Sequence, residues 1–161
     1  MAIINKKILI MGLPGSGKTT LARDLAKKLK AVHWNADAVR ARLNSHLGFS
    51  EADRIEQARR MGWLCDQIVA AGSWAVADFI CPTPATRAAF GPATTIWVDT
   101  ITTGRFEDTN KMFVPPENYN WRVDTQNSEF WSKVIAEELD LDEKPSWFKA
   151  LFWGERNFVG K

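Results

Sequence analysis

The octet Gly12-Leu13-Pro14-Gly15-Ser16-Gly17-Lys18-Thr19 constrains this chain more than any other feature. It matches the Walker A pattern, a loop in which glycines let successive backbone N–H groups curl around phosphate oxygens. Such a loop requires a buried strand before it and a helix after it. Residues 3–11 form a short apolar run centred on Ile8-Leu9-Ile10-Met11, with the composition of a strand buried on both faces. Beyond the octet, Leu21, Ala22, Leu25, Ala26 and Leu29 recur every three or four residues, the stripe of an amphipathic helix. A glycine turn that merely joins strand to helix would not need the complete octet. The loop therefore predicts phosphate binding by Gly12, Leu13, Pro14, Gly15, Ser16, Gly17, Lys18, Thr19 and Thr20. Gly15 and Gly17 allow the close backbone approach, Lys18 reaches the β and γ oxygens, and the Thr19 hydroxyl ligates Mg²⁺. The helix from Lys18 adds its positive dipole end.

The alternation continues downstream. A second strand is expected at residues 31–35. Ser50 with Asp53 three residues on reads as a capping box opening a helix, whose buried face is Ile55, Ala58, Met61, Cys65, Ile68 and Val69 and whose end is Gly72. Residues 74–80 and 95–100 are further apolar, β-branched strands, and residues 121–125 a weaker one. Phe130, Trp131, Val134, Ile135 and Leu139 mark a last long helix. This order predicts an α/β fold: a three-layer sandwich of the P-loop NTPase type with a mostly parallel central sheet and ligands at the carboxyl ends of its strands. Residues 102–120, with Gly104, Pro115 and Pro116, are too long for an ordinary connection and read as a lid. An aromatic tail over residues 145–161, with Trp147, Phe148, Phe152, Trp153 and Phe158, is expected to pack against the domain, with a partner-binding strip as the second reading.

Bulk properties narrow the partners. At 161 residues the chain fits one compact domain spanning residues 1–161. With 45% hydrophobic and 25% charged residues it has enough apolar material to fold throughout. A net charge of +2 without an extended basic stripe argues against a nucleic-acid partner. No apolar run approaches the roughly 20 residues of a membrane span. Cys65 and Cys81 make no metal-ligand spacing and suit a reducing cytoplasm, the expected location.

Downstream of the loop, Asp37-Ala38-Val39-Arg40, then Leu47-Gly48-Phe49-Ser50-Glu51-Ala52-Asp53-Arg54, then Glu56 and Arg59-Arg60, resemble the adenylylsulfate kinases. Phe79-Ile80-Cys81-Pro82 followed by Arg87 looks like the Phe-Ile-Ser-Pro segment of that family. The likeness runs from about Ile8 to Thr100 and is loose beyond. It implies MgATP-dependent phosphorylation of the ribose 3′-hydroxyl of adenosine 5′-phosphosulfate, and so ATP and Mg²⁺ at the site beside a small anionic acceptor. Carried over by position, Lys18 and Asp37 are the catalytic candidates, with Asp37 near the acceptor hydroxyl and, with Thr19, near the metal. Arg40, Phe49, Arg54, Gln57, Ile80 and Cys81 line the acceptor pocket, and Arg105 and Lys111 of the lid can bring positive charge to the moving phosphoryl group. A homodimer is compatible with this reading.

The pattern also departs from the family. Asp-Gly-Asp-Asn is here Asn35-Ala36-Asp37-Ala38, so the first acid is lost. Gln57 replaces an Asn, Cys81 replaces a Ser, and Asp78 stands where a small residue is common; Asp78 reads equally as a Mg²⁺-side acid at a strand end or as a group that trims the pocket. Without the resemblance, Asp37 would read equally as a helix N-cap, Phe49 as core, and Arg54 as a solvated helix face, the reading kept for Arg59. His33 and His46 match no catalytic position. The lid is shortened, which leaves a kinase for another acceptor (a nucleoside, a sugar or a nucleic-acid 5′ end) as the second reading. A slow nucleotide-binding switch is the third, although no Asn-Lys-x-Asp guanine-reading motif is present.

Overall fold

The computed structural model describes residues 5–156. The elements run β1 (Lys7–Gly12), α1 (Lys18–Leu29), β2 (Val32–Asn35), α2 (Ala36–Arg42), α3 (Glu51–Ala70), β3 (Ala75–Asp78), α4 (Pro84–Phe90), β4 (Thr94–Val98), α5 (Glu107–Met112), β5 (Trp121–Val123), α6 (Ser128–Glu143) and α7 (Ser146–Arg156). All five strands join one sheet in the order β2-β3-β1-β4-β5, and every neighbouring pair is parallel. The central strand β1 is buried along its whole length. Its side chains alternate between the two faces, as the pleat requires. Ile8 and Ile10 meet Leu21 and Leu25 of α1 and Ile135 and Leu139 of α6. Leu9 and Met11 meet Ala58, Met61 and Cys65 of α3 and Phe90 of α4 on the other side. The expected three-layer sandwich is therefore the fold that forms.

Helix α3 lies unusually close to α4. A Cβ placed on Gly62 would stand 2.1 Å from the Phe90 carbonyl oxygen, so only glycine permits the approach. That same carbonyl accepts a 2.6 Å hydrogen bond from the buried Lys7 ammonium, which also pairs with Asp66 at 2.8 Å. The end of α4 is thus tied to β1 and α3 together.

Some local expectations need correction. Ser50 does cap α3, accepting from the Asp53 N–H at 3.1 Å, but the Asp53 carboxylate does not turn back to it. It accepts from the Gly48 N–H at 2.9 Å instead and braces the loop before the helix, so there is half a capping box. Helix α4 escaped the sequence reading, although Thr83 and Thr86 form a full capping box around Pro84 at its first turn. Within residues 102–120, the segment expected to be a lid, a short helix, α5, forms. The tail forms α7, but Trp147 and Leu151 are each 66% exposed and do not pack on the domain as expected. The side chains of Phe152 and Trp153, like Phe158 and the start of the first apolar run at Ile3 and Ile4, lie outside the described residues. No helix among the described residues is long and apolar enough to cross a membrane.

Candidate active site

The phosphate loop spans the gap between the end of β1 and the start of α1. A Cβ on Gly12 would fall 2.3 Å from the Val98 carbonyl oxygen of β4, and Gly17 caps α1 in the left-handed region with φ of 102°. No acid occupies the first turn of α1, so the helix end keeps its positive field. The buried Ser16 hydroxyl has no hydrogen-bond partner among the described residues, and a bound oxyanion can satisfy it. Lys18 is buried and folds back on the loop, its Nζ donating to the Leu13 carbonyl at 2.8 Å. Burial brings its ammonium down to about 8; Asp78 and Asp37 pull the other way, and Arg105 adds a smaller depression.

At the carboxyl ends of β2 and β3, four side chains meet. Asn35 and Asp78 are register partners on these parallel strands. Asp78, 1% exposed, accepts from the Thr19 hydroxyl at 2.8 Å and from Asn35 Nδ2 at 3.0 Å, both on Oδ1. Its Oδ2 meets His33 Nε2. Because a carboxylate only accepts, the imidazole must donate here. This arrangement was not legible in the sequence: His33 sits in a strand and belongs to no motif, and the bond exists only because the two strands pair in this register.

The donor set suits Mg²⁺. The Thr19 hydroxyl donates its proton to Asp78 and accepts from Asn35 Nδ2 at 3.3 Å, which leaves one oxygen lone pair for a cation, and hard oxygen ligands are what Mg²⁺ prefers. No group of three or more His, Cys, Asp or Glu forms a metal cage among the described residues. Mg²⁺ needs none, since it is commonly held by one or two protein groups plus phosphates and water.

Pro14, Gly15, Lys18, Thr19, Asp78, Asp37, Arg40, Phe49, Arg54, Gln57, Ile80, Cys81 and Arg105 all line one cavity of ≈ 620 Å³. Asp37 is exposed in the first turn of α2 and is not its cap. Asn35 is, accepting from the Ala38 N–H at 3.0 Å, which removes the N-cap reading of Asp37. Phe49 is 65% exposed rather than core, with the Arg40 guanidinium 4.5 Å and that of Arg54 5.5 Å from its ring centre. Arg40 also donates to the Leu47 and Gly48 carbonyls at 3.1 and 2.6 Å, and Arg54 to the Phe49 carbonyl at 2.9 Å. Neither forms an ion pair with an acid among the described residues, and Arg54 is held below its usual range by burial and then by Arg40.. Arg59, by contrast, pairs with Glu56 at 2.6 Å on the exposed face.

The remaining candidates divide. Gln57 is buried and engaged at both ends, donating to the Ala36 carbonyl at 3.1 Å and accepting from Asn44 at 2.8 Å. It shapes the cavity wall. Cys81 is buried, holds a positive φ of 46° and has its thiol pushed up to about 12 by burial. Its carbonyl accepts from Arg87 at 3.1 Å, which leaves the turn after β3 tied to α4. From α5, the Asn110 side chain makes two bonds to Gly104, at 2.8 and 3.0 Å, closing a loop that presents Arg105 over Gly15. Lys111 does not reach the cavity. It is exposed and pairs with Glu107 at 3.0 Å, one helical turn away. Phe113 packs beside Arg87 rather than in the cavity, while Phe106 stands exposed at its rim. Thr20 faces a separate cleft of ≈ 140 Å³ with Ser16, Gly17 and Gln126.

A parallel sheet in this strand order, with a glycine loop, a buried lysine and a threonine facing a strand-end carboxylate, defines a protein of the P-loop class. Residues 5–99 match the model of the family described as adenylylsulphate kinase, and the chain belongs to that family. The adenylyl-sulfate kinase of Geotalea daltonii is 44% identical over 91 residues, covering 51% of this chain and 45% of that protein. The chain spans about half the length of the curated relatives it matches. The Mycobacterium tuberculosis APS kinase solved with AMPPNP and APS superposes with a TM-score of 0.73 at 22% identity, over 85% of this chain and 98% of that one. A hexameric APS kinase from Thiobacillus denitrificans gives 0.66 at 29% identity, over 83% of this chain and 28% of that one.

Proposed function

We propose that this chain is an ATP-dependent kinase that transfers the γ-phosphoryl group to the 3′-hydroxyl of adenosine 5′-phosphosulfate. One observation carries the acceptor: two guanidiniums without acidic partners among the described residues lie over the exposed Phe49 ring inside the same cavity as Lys18. An apolar ring beside paired cations suits a purine nucleotide with a strongly anionic tail. Family membership and the acid Asp37 in that cavity support the same reading.

In this scheme the loop amides and Lys18 bind the β and γ phosphates, with Lys18 leaving the Leu13 carbonyl for the nucleotide. Thr19 and Asp78 would hold Mg²⁺, which when bound neutralises charge on the phosphate oxygens. Asp37, on the acceptor side, takes the proton of the attacking hydroxyl or orients that hydroxyl, and would help to place Mg²⁺. Arg105 meets the charge that spreads over the transferring group, and Arg40 and Arg54 hold the phosphosulfate. Residues 1–161 then act as one kinase domain in the cytoplasm, and light scattering would test the homodimer.

The experiment is incubation with MgATP and an acceptor panel, followed by identification of the product. Formation of 3′-phosphoadenosine 5′-phosphosulfate, with turnover far above every nucleoside and sugar in the panel, is expected. Phosphorylation of a different acceptor alone would leave the phosphate loop standing and overturn the acceptor.

A further inference from the structure

We propose that His33 is a positioning residue that fixes the Asp78 carboxylate toward Thr19. The inference rests on the reading of Thr19 and Asp78 as the Mg²⁺-side pair. Asp78 is buried at the end of β3, and both of its oxygens are occupied: Oδ1 by Thr19 and Asn35, Oδ2 by His33. His33 and Asn35 lie two residues apart on β2, so the period of the strand brings both to the same neighbour. The imidazole is 20% exposed and the carboxylate 2%.

Without His33, Oδ2 would be a buried carboxylate oxygen lacking a donor. Such an oxygen is costly, and the cheapest relief is rotation of the carboxylate toward Lys18 or toward the Asn35 amide proton that otherwise goes to the Thr19 oxygen at 3.3 Å. Either movement draws Oδ1 away from the Thr19 hydroxyl, whose proton would then have no fixed acceptor. His33 therefore acts on the metal side through Asp78, touching neither nucleotide nor acceptor. A space-filling histidine in β2 would predict loss of stability alone.

The test compares His33→Leu, His33→Gln and His33→Asn by titration calorimetry of ADP with Mg²⁺ and with EDTA, beside kcat and Tm. The terminal amide of Gln reaches close to the position of the imidazole Nε2, whereas that of Asn falls short. His33→Leu and His33→Asn should each lose about tenfold or more in kcat and in the Mg²⁺-dependent part of ADP affinity, the range found when outer partners of metal ligands are removed. ADP affinity in EDTA should stay near wild type, and His33→Gln should recover most of the loss. Equal losses with and without Mg²⁺, or a His33→Gln protein no better than His33→Asn, would overturn the proposal. If His33→Leu fails to fold, the Gln and Asn comparison decides alone. Asp78→Ala separates the levels: if it too leaves Mg²⁺ dependence unchanged, the metal-side reading fails, whereas a strong Asp78→Ala effect with silent His33 variants overturns only the positioning role.

Discussion

The Asn35 side chain joins the two halves of the site: its amide donates to Asp78 Oδ1 at 3.0 Å, while its carbonyl oxygen accepts from the Ala38 N–H and starts α2. The carboxylate beside Thr19 and the helix that carries Asp37 and Arg40 are thereby held by one residue. The proposed nucleotide and acceptor sides meet at a strand end.

Because Asn35 and Asp78 are register partners, amide and carboxylate should be exchangeable across β2 and β3. Asp78→Asn removes the acid from Thr19, and Asn35→Asp sets two carboxylates against each other where an amide donor stood. Each single variant should lose about 10–100-fold in kcat. The double variant restores one acid and one amide, keeps a good helix cap at position 35, and should recover most of that loss in steady-state assays at saturating Mg²⁺. Additive losses in the double variant would show that Asp78 cannot be relocated.

Lys18→Met should abolish transfer yet leave the fold intact. Its hydrogen bond to the Leu13 carbonyl is lost, but so is the cost of burying an ammonium that burial pushes down to about 8. These effects oppose one another, so Tm should move by no more than about 4 °C, the shift expected from ~1 kcal/mol in a chain of this size. Turnover should fall by about 10²-fold or more, because the charge acts where the transition state is most anionic. Calorimetric scanning and a coupled assay on the same preparation check both.

Arg40→Ala and Arg54→Ala should raise the acceptor KM and leave ATP affinity nearly unchanged. Charge-assisted hydrogen bonds contribute about 1.5–3 kcal/mol each, so a tenfold or greater effect is expected for either. Arg40→Ala should be the worse, since it also frees the Leu47 and Gly48 carbonyls. Equal losses for both substrates would assign the arginines to the fold.

Asp37→Asn should lower kcat by about 10²-fold with no change in Tm. The cap of α2 is Asn35, so the variant does not touch helix initiation. Normal turnover in this variant would move the proton-accepting role elsewhere in the cavity.

Alkaline pH should weaken the fold through its two thiols. Burial pushes Cys65 and Cys81 up to about 12 from an ordinary value of 9.0, so both stay protonated in the native state while the unfolded chain ionises. Their contribution is present below pH 9 and is lost as pH rises from 9 towards 12, at up to about 1.4 kcal/mol per pH unit for each thiol. Urea unfolding at pH 8 and 10 should show a smaller drop in Cys65→Ala than in wild type. At pH 8 the native thiols should also resist alkylation until denaturant is added.

The phosphate loop, the strand before it and the helix after it were legible in the sequence because their signals are local: glycine spacing, an apolar run and a 3.6-residue stripe. The order of strands and helices was enough for a parallel sheet between two helical layers. Other decisions depend on which segments become neighbours. Asn35 rather than Asp37 caps α2, Gln57 is taken up by Ala36 and Asn44, and Lys111 turns to Glu107 away from the cavity. Phe49 reads as core by composition but stands exposed, because the loop before α3 carries it between Arg40 and Arg54 and not under the sheet. The Asp78 cluster is the clearest instance. His33, Asn35 and Asp78 lie more than forty residues apart along the chain at their extremes, and only the parallel register of β2 on β3 brings donor and acceptor within hydrogen-bond distance. Side-chain chemistry is written in the sequence, but the partner that each buried polar group finds is set by strand pairing, since a buried carboxylate must be satisfied by whatever donors the neighbouring strand presents.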